Sequence, residues 1–131
     1  MQDLTLIIPA KYESESLPIF LEEIKKLVCK KLVVLQADDK ITINSIETFK
    51  DVEILYQKDL GYGAALIEGI RHTSTNYFCI INADGSMNPS DLEKMLSSIN
   101  ENKLDFIFAS RYESPGGGSD DDTFVTSVGN F

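Results

Sequence analysis

Short apolar runs recur along the chain at regular intervals. They cover residues 4–8, 32–35, 52–56, 77–81 and 104–109. Each run is too short for a helix, and the runs at 4–8, interrupted only by Thr5, and at 32–35 are typical of strands buried on both faces of a sheet. The pattern therefore predicts one strand for each run.

Apolar residues at helical spacing fill the intervals between these runs. The predicted helices span residues 16–28, 42–49, 64–71 and 90–100. The first helix has one apolar face, formed by Leu17, Phe20, Leu21, Ile24, Leu27 and Val28. Strands that alternate with helices predict an α/β fold with a mostly parallel central sheet. Right-handed crossovers place the strand-end loops at one edge, and we expect the second, first and fourth strands to be adjacent.

Composition indicates one soluble domain, residues 1–131. The chain is 43% apolar and 25% charged, which are ordinary values for a globular protein. Its net charge of −9 argues against a nucleic-acid partner, because phosphate binding needs a basic face. No apolar run approaches the roughly 18 residues that indicate a membrane span. Cys29 and Cys79 lie in apolar runs, which favours free buried thiols and a cytoplasmic location.

The run at 77–81 ends in a group of polar residues. Asn82, Asp84 and Ser86 follow it, and Pro89 lies where a helix is predicted to begin. Ligands bind at the carboxyl edge of open α/β sheets, and a carboxylate held there can bind a divalent cation, which in turn can bind a diphosphate. The alternative is a turn in which Asp84 makes only local hydrogen bonds.

Four motifs stand near the ends of predicted strands. They are IIPAKYE at 7–13, GYGAA at 61–65, NADGS at 82–86 followed by Pro89, and ASRY at 109–112. In this order and spacing they resemble motifs of the family 2 glycosyltransferases, the inverting GT-A enzymes that include dolichyl-phosphate mannose synthase. The family's motifs are IPAxNE, GxGxA, DAD with a following proline, and GSRY. The resemblance covers almost the whole chain and implies the GT-A fold, a Rossmann-like three-layer sandwich.

The resemblance also implies a role for each matched residue. The implied nucleotide-binding residues are Pro9, Ala10, Glu13, Gln36, Lys58, Gly61, Gly63 and Asn82. The implied ligands of Mg²⁺ or Mn²⁺ are Asp84, Asn82 and Ser86. The implied catalytic residues are Asp84 and Arg111, and Arg111 would face the diphosphate or an acceptor phosphate. A hard cation and an arginine suit this chemistry because negative charge develops on the departing nucleoside diphosphate.

Inversion at the sugar requires a base that deprotonates the acceptor. In the family this base is an acidic residue beyond the metal motif. Asp120, Asp121 and Asp122 are candidates by position, although a run of like charges is more often a solvated loop.

The function that the resemblance implies is sugar transfer from a UDP- or GDP-sugar to an acceptor. A polyprenyl phosphate at the cytoplasmic face of a membrane is one such acceptor. Three positions depart from the family pattern, because Tyr12 replaces an asparagine and Gln36 and Asn82 replace aspartates. These departures favour, as an alternative, a degenerate domain that binds a nucleotide or a protein without catalysis. A nucleotidyltransferase is disfavoured, because no basic glycine-rich loop follows the first strand.

Residues 123–131 form an apolar stretch that no later element covers. Such a surface is usually hidden by another molecule. We therefore expect this chain to be part of a longer protein whose acceptor site lies beyond Phe131. In isolation we expect it either to self-associate through residues 123–131 or to have a disordered tail there, to bind nucleotide weakly, and to show no transferase activity.

Overall fold

A computed structural model describes residues 3–84 and 90–102. The elements in chain order are β1 (Leu4–Pro9), α1 (Ser16–Glu23), β2 (Lys30–Leu35), α2 (Lys40–Ser45), β3 (Val52–Tyr56), α3 (Tyr62–His72), β4 (Tyr77–Ile80) and α4 (Asp91–Asn102). The chain divides into two units, Met1–Pro89 and Ser90–Phe131. The first unit contains all four strands, and α4 belongs to the second. The predicted strand at 104–109 and the apolar stretch at 123–131 lie outside the described residues.

The four strands form one parallel sheet in the order β3-β2-β1-β4. β1 pairs with β2 on one side and with β4 on the other, so that Ile7 lies opposite both Leu32 and Ile80. The prediction of an α/β fold in which the second, first and fourth strands are adjacent is therefore confirmed.

Both faces of the central strands are buried, as their continuous apolar sequence predicts. Every residue of β1 is buried, and so is every residue of β2 after Lys30. On one face, Ile7, Leu32 and Val34 form a cluster with Ala65 of α3. Alternation of side chains along each strand places Leu6, Ile8, Val33 and Leu35 on the opposite face.

The approach of α3 to the sheet depends on one glycine. Helix α3 contacts β1 and β2, and Gly69 is buried in this contact. A Cβ atom at Gly69 would lie 2.7 Å from Ile7 Cγ2 and 3.3 Å from Val34 Cγ2. Because any side chain at this position would push the helix off the sheet, Gly69 sets the distance between the two layers.

The prediction that the first helix continues to Val28 is wrong. α1 ends at Glu23, and the chain then turns through short-range hydrogen bonds, such as the 3.0 Å bond from Leu27 N to the Ile24 carbonyl. Ile24 is buried, but Val28 is 66% exposed. The helix ends early because β2 begins at Lys30, in register with Thr5 of β1, and the chain must reverse direction before that point.

Helix α2 begins two residues earlier than predicted, because Asp39 caps it. An oxygen of the Asp39 carboxylate accepts a hydrogen bond from Thr42 N, which satisfies one of the free amides at the helix start. The capping carboxylate is itself 6% exposed.

The two cysteines are free, as predicted, and each is partly buried. Burial raises the pKa of Cys79 to about 11 and also raises the pKa of Cys29. Both thiols therefore stay protonated at neutral pH. None of the helices in the described part of the chain is long and apolar enough to cross a membrane.

Substitution of Gly69 tests the packing of α3. Gly69→Ala should lower the free energy of unfolding by about 1–3 kcal/mol, because the added methyl group overpacks the contact with Ile7. Gly63→Ala is the matched control, since an added Cβ there meets no heavy atom within 4 Å. Urea unfolding of both variants measures the difference. Equal stabilities would contradict the assignment of Gly69 as the contact that limits the approach of α3.

Candidate functional site

A cavity of about 360 Å³ lies at the carboxyl edge of the sheet. Its lining residues are Pro9, Ala10, Lys11, Glu13, Gln36, Gln57, Gly61, Tyr62, Ala65, Asn82, Ala83 and Asp84. Every strand contributes a residue that lies at or just beyond its end, and α3 contributes its first turn. The strand order reverses direction between β1 and β4, and ligands of open α/β sheets bind in the crevice beside such a reversal.

Most of the predicted site residues come together in this cavity. The predicted nucleotide-binding residues that line it are Pro9, Ala10, Glu13, Gln36, Gly61 and Asn82, and the predicted metal ligand Asp84 joins them. Lys58 and Gly63 are not among the lining residues. Ser86, Arg111 and the aspartates at 120–122 lie outside the described residues.

The loop after β1 holds an unfavourable backbone conformation beside the cavity. Tyr12 has a φ of 54°, in the left-handed region, where a residue other than glycine costs roughly 1–2 kcal/mol. Its N–H donates a 2.9 Å hydrogen bond to Oδ2 of Asp39. A hydrogen bond to a charged group contributes about 1.5–3 kcal/mol, which is enough to offset that strain. Lys11 and Glu13, on either side of Tyr12, both line the cavity.

The end of β4 is joined to the start of α3 by a hydrogen bond. The hydroxyl of Tyr62 donates to Oδ1 of Asn82 at 3.1 Å. Tyr62 is the first residue of α3, and Asn82 replaces the first acid of the family's metal motif. The amide oxygen of Asn82 is therefore already engaged with one partner, while its amide nitrogen can donate to a ligand.

The loop before α3 is shaped by Gln57 and by a glycine. Nε2 of Gln57 donates to the carbonyl oxygens of Asp59 and Gly61, each at 3.1 Å. Gly61 precedes α3 with a φ of 104°, which a side chain would disfavour. Glu68 of α3 accepts hydrogen bonds from the loop amides of Lys58 at 2.8 Å and Asp59 at 3.4 Å. These contacts fix the backbone of the loop, and it is the backbone rather than the Lys58 side chain that shapes the cavity here.

Sequence reasoning missed three of the lining residues that carry polar or charged side chains: Lys11, Gln57 and Tyr62. Gln57 could have been found, since it directly follows β3 as Gln36 directly follows β2. Tyr62 and Lys11 stand inside the quoted motifs, but at positions that the family pattern leaves variable. Nothing in the sequence distinguishes them from other exposed residues.

The charged residues that line the cavity are Lys11, Glu13 and Asp84. The carboxylate of Glu13 accepts a hydrogen bond from the hydroxyl of Ser16. Nζ of Lys11 lies 5.7 Å from the centre of the Tyr12 ring. A divalent cation at this edge would meet two kinds of oxygen ligand, the charged carboxylate of Asp84 and the neutral amide of Asn82.

The oxygen ligands that the protein offers suit a cation that is also coordinated by a phosphate group. Within residues 3–84 and 90–102, no three His, Cys, Asp or Glu side chains are grouped closely enough to hold a metal ion. Asp84 and Asn82 offer a carboxylate and an amide oxygen two residues apart. Mg²⁺ is commonly held by one or two carboxylates together with substrate phosphates and water, so these residues fit it.

Comparison with known proteins identifies the family of the chain. The model of the family described as "Glycosyl transferase family 2" matches residues 5–124. An uncharacterized glycosyltransferase of Mycobacterium bovis is 30% identical over 100 residues, which cover 75% of this chain and 44% of the relative. Uncharacterized glycosyltransferases of two Mycobacterium tuberculosis strains match to the same extent. The chain spans less than half the length of these relatives, and it belongs to glycosyl transferase family 2.

Proposed function

We propose that this chain is the donor-binding domain of an inverting glycosyltransferase that uses a UDP- or GDP-sugar. One observation carries the proposal: six of the predicted nucleotide-binding residues, together with Asp84, line a single cavity at the point where the strand order reverses. Family membership supports the transferase activity, and the cavity supports a nucleotide as the ligand.

The residues that line the cavity form two groups, one for the nucleoside end of a nucleotide-sugar and one for its diphosphate and sugar end. Pro9 ends β1, and Ala10 and Gln36 directly follow the adjacent strands β1 and β2, where an apolar wall and an amide can receive a base. Glu13 can accept hydrogen bonds from ribose hydroxyls. Asp84, in the loop after β4, would lie toward the diphosphate and the sugar.

Asp84 and Asn82 would hold Mg²⁺ or Mn²⁺ in the proposed site. When bound, the cation supplies positive charge to the diphosphate as the sugar leaves. The role of Ser86 as a further ligand and that of Arg111 as a phosphate contact remain part of the same proposal.

The proposed transfer forms a bond from an acceptor oxygen to the anomeric carbon of the sugar. The bond from that carbon to the diphosphate oxygen breaks, and its electron pair leaves with the nucleoside diphosphate. A hydroxyl acceptor gives its proton to a base, for which Asp120–122 are candidates by position. A polyprenyl phosphate acceptor at the cytoplasmic face of a membrane, and the activity of the whole protein, are proposals that the resemblance supports.

A second candidate function is nucleotide binding without transfer. The observation that favours it is the bond from Tyr62 to Asn82, because this bond engages an oxygen that the metal motif would otherwise offer freely. A domain of this kind would bind a nucleotide with no dependence on a divalent cation. The metal dependence of binding therefore separates the two functions.

Asp84→Asn should remove the Mn²⁺-dependent part of nucleotide affinity, because it neutralises the carboxylate at the end of β4. We expect the affinity for UDP or GDP in Mn²⁺ to fall at least about tenfold, equivalent to roughly 1.4 kcal/mol. Isothermal titration with and without Mn²⁺ measures this loss. Asp59→Asn is the matched control, since Asp59 is exposed and does not line the cavity. Equal affinities of the two variants in Mn²⁺ would contradict the metal role of Asp84.

Asn82→Asp tests the same site in the opposite direction. It should tighten Mn²⁺ binding in the presence of UDP or GDP, because it adds a second carboxylate beside Asp84. The hydroxyl of Tyr62 can donate to a carboxylate as it does to the amide, so the fold of this edge should be kept. If titration with Mn²⁺ gives the same affinity before and after the substitution, Asn82 does not stand at a ligand position.

A further inference from the structure

The start of α2 is bonded to the loop that forms one wall of the cavity. Tyr12 N–H donates to Oδ2 of Asp39 at 2.9 Å, and Glu13 N–H donates to Oγ1 of Thr42 at 3.2 Å. Two successive amides of the loop thus bond to two side chains of α2 and its cap. Asp39 is 6% exposed and Thr42 is fully buried, so the two accepting side chains are shielded from water and each bond is partly buried.

Asp39 also connects two walls of the cavity. Its side chain bonds to the turn at Tyr12, whose neighbours Lys11 and Glu13 line the cavity on the β1 side. Its own N–H donates to the carbonyl oxygen of Gln36 at 3.1 Å, and Gln36 lines the cavity on the β2 side. Asp39 itself is not a lining residue.

The backbone conformation of Tyr12 indicates that the Asp39 carboxylate holds a strained turn in place. A tyrosine in the left-handed region relaxes to a more favourable backbone conformation unless other contacts prevent it. The Tyr12 ring is 74% exposed, so packing of the ring does not hold the turn. The hydrogen bonds to Asp39 and Thr42 hold the turn at Tyr12 and Glu13, and a 2.9 Å bond from Leu17 N to the Glu13 carbonyl follows them.

We propose that Asp39 is a positioning residue for nucleotide binding, which holds the strained turn at Tyr12 so that Lys11 and Glu13 face the cavity before the ligand arrives. Preorganisation of this kind raises affinity because the ligand does not have to order the loop. The inference rests on the proposed function, since it concerns the same cavity. It assigns to Asp39 a role through the loop backbone rather than through contact with the nucleotide.

Asp39→Ser separates this role from helix capping. Serine is as good an N-cap as aspartate, so the bond to Thr42 N can be kept, while the second oxygen that accepts from Tyr12 N is lost. We expect the dissociation constant for UDP or GDP in Mn²⁺ to rise about tenfold, measured well below the unfolding midpoint so that all of the protein is folded. Hydrogen exchange at the amides of Tyr12 and Glu13 should accelerate in the same variant.

Tyr12→Asn in the Asp39→Ser background is the rescue. Asparagine tolerates the left-handed region far better than tyrosine, so the double variant should bind within about threefold of the unmodified chain. Asp51→Asn is the stability control. Asp51 bonds to Lys31 at 3.0 Å near the start of β2, at the amino ends of the strands and away from the cavity. It should lower stability without changing the dissociation constant.

The outcomes separate this inference from the function on which it rests. Failure of the unmodified chain to bind UDP or GDP overturns the proposed function and the positioning role with it. Binding that Asp39→Ser leaves unchanged overturns the positioning role alone. Weaker binding that Tyr12→Asn does not restore also overturns it, because the strained turn would then not be the cause. Weaker binding together with rescue supports it.

Discussion

The parallel pairing of β1 with two neighbours is the constraint on which the site depends. Both edges of β1 are hydrogen-bonded and both of its faces are buried, so its end at Pro9 has no freedom to move independently of the sheet. The pairing continues one residue past the ends of β1 and β4. Ala10 N donates to the Val34 carbonyl at 3.0 Å, and Ile81 N donates to the Ile7 carbonyl at 3.0 Å. The lining of the cavity begins at the last paired residues of β1, Pro9 and Ala10.

Helix α3 completes the site through the same sheet. Gly69 lets the helix lie close against β1 and β2, and its first turn then reaches the carboxyl edge. The bond from Tyr62 to Asn82 joins that turn to the end of β4. A single small residue in the core thus determines where a polar group stands at the surface. The packing of α3 and the shape of the cavity are coupled by geometry, because a shift of α3 would move Gly61 and Tyr62 together.

The sequence predicts the fold well because the signals for it are local. Continuous apolar runs identify strands buried on both faces, and their alternation with helices leaves few ways to arrange them. The candidate residues at strand ends follow from the same reasoning, since parallel strands bring these ends together. The resemblance to a family then adds roles for particular residues, which the fold alone does not assign.

What the sequence does not predict depends on contacts between distant residues. Nothing in the sequence marks Asp39 as a buried residue, yet it is buried and bonds to Tyr12, which lies 27 residues away. The left-handed conformation of Tyr12 cannot be predicted from its residue type, because glycine and asparagine adopt that conformation far more readily than tyrosine. The end of α1 is set by the register of β2 against β1, and the apolar spacing gives no sign of it. In each case tertiary structure overrides a local preference.

Mapping where a nucleotide binds on the chain tests most directly whether the carboxyl edge of the sheet forms the donor site. An isotope-labelled sample titrated with UDP and GDP in Mg²⁺ reports, through backbone amide chemical shifts, which residues a nucleotide approaches. We expect the largest shifts at the carboxyl edge of the sheet, at Ala10, Gln36 and Asn82. Shifts centred instead on the amino edge, around Lys30 and Asn76, or no shifts with either nucleotide, would contradict the central claim that this edge binds the sugar donor.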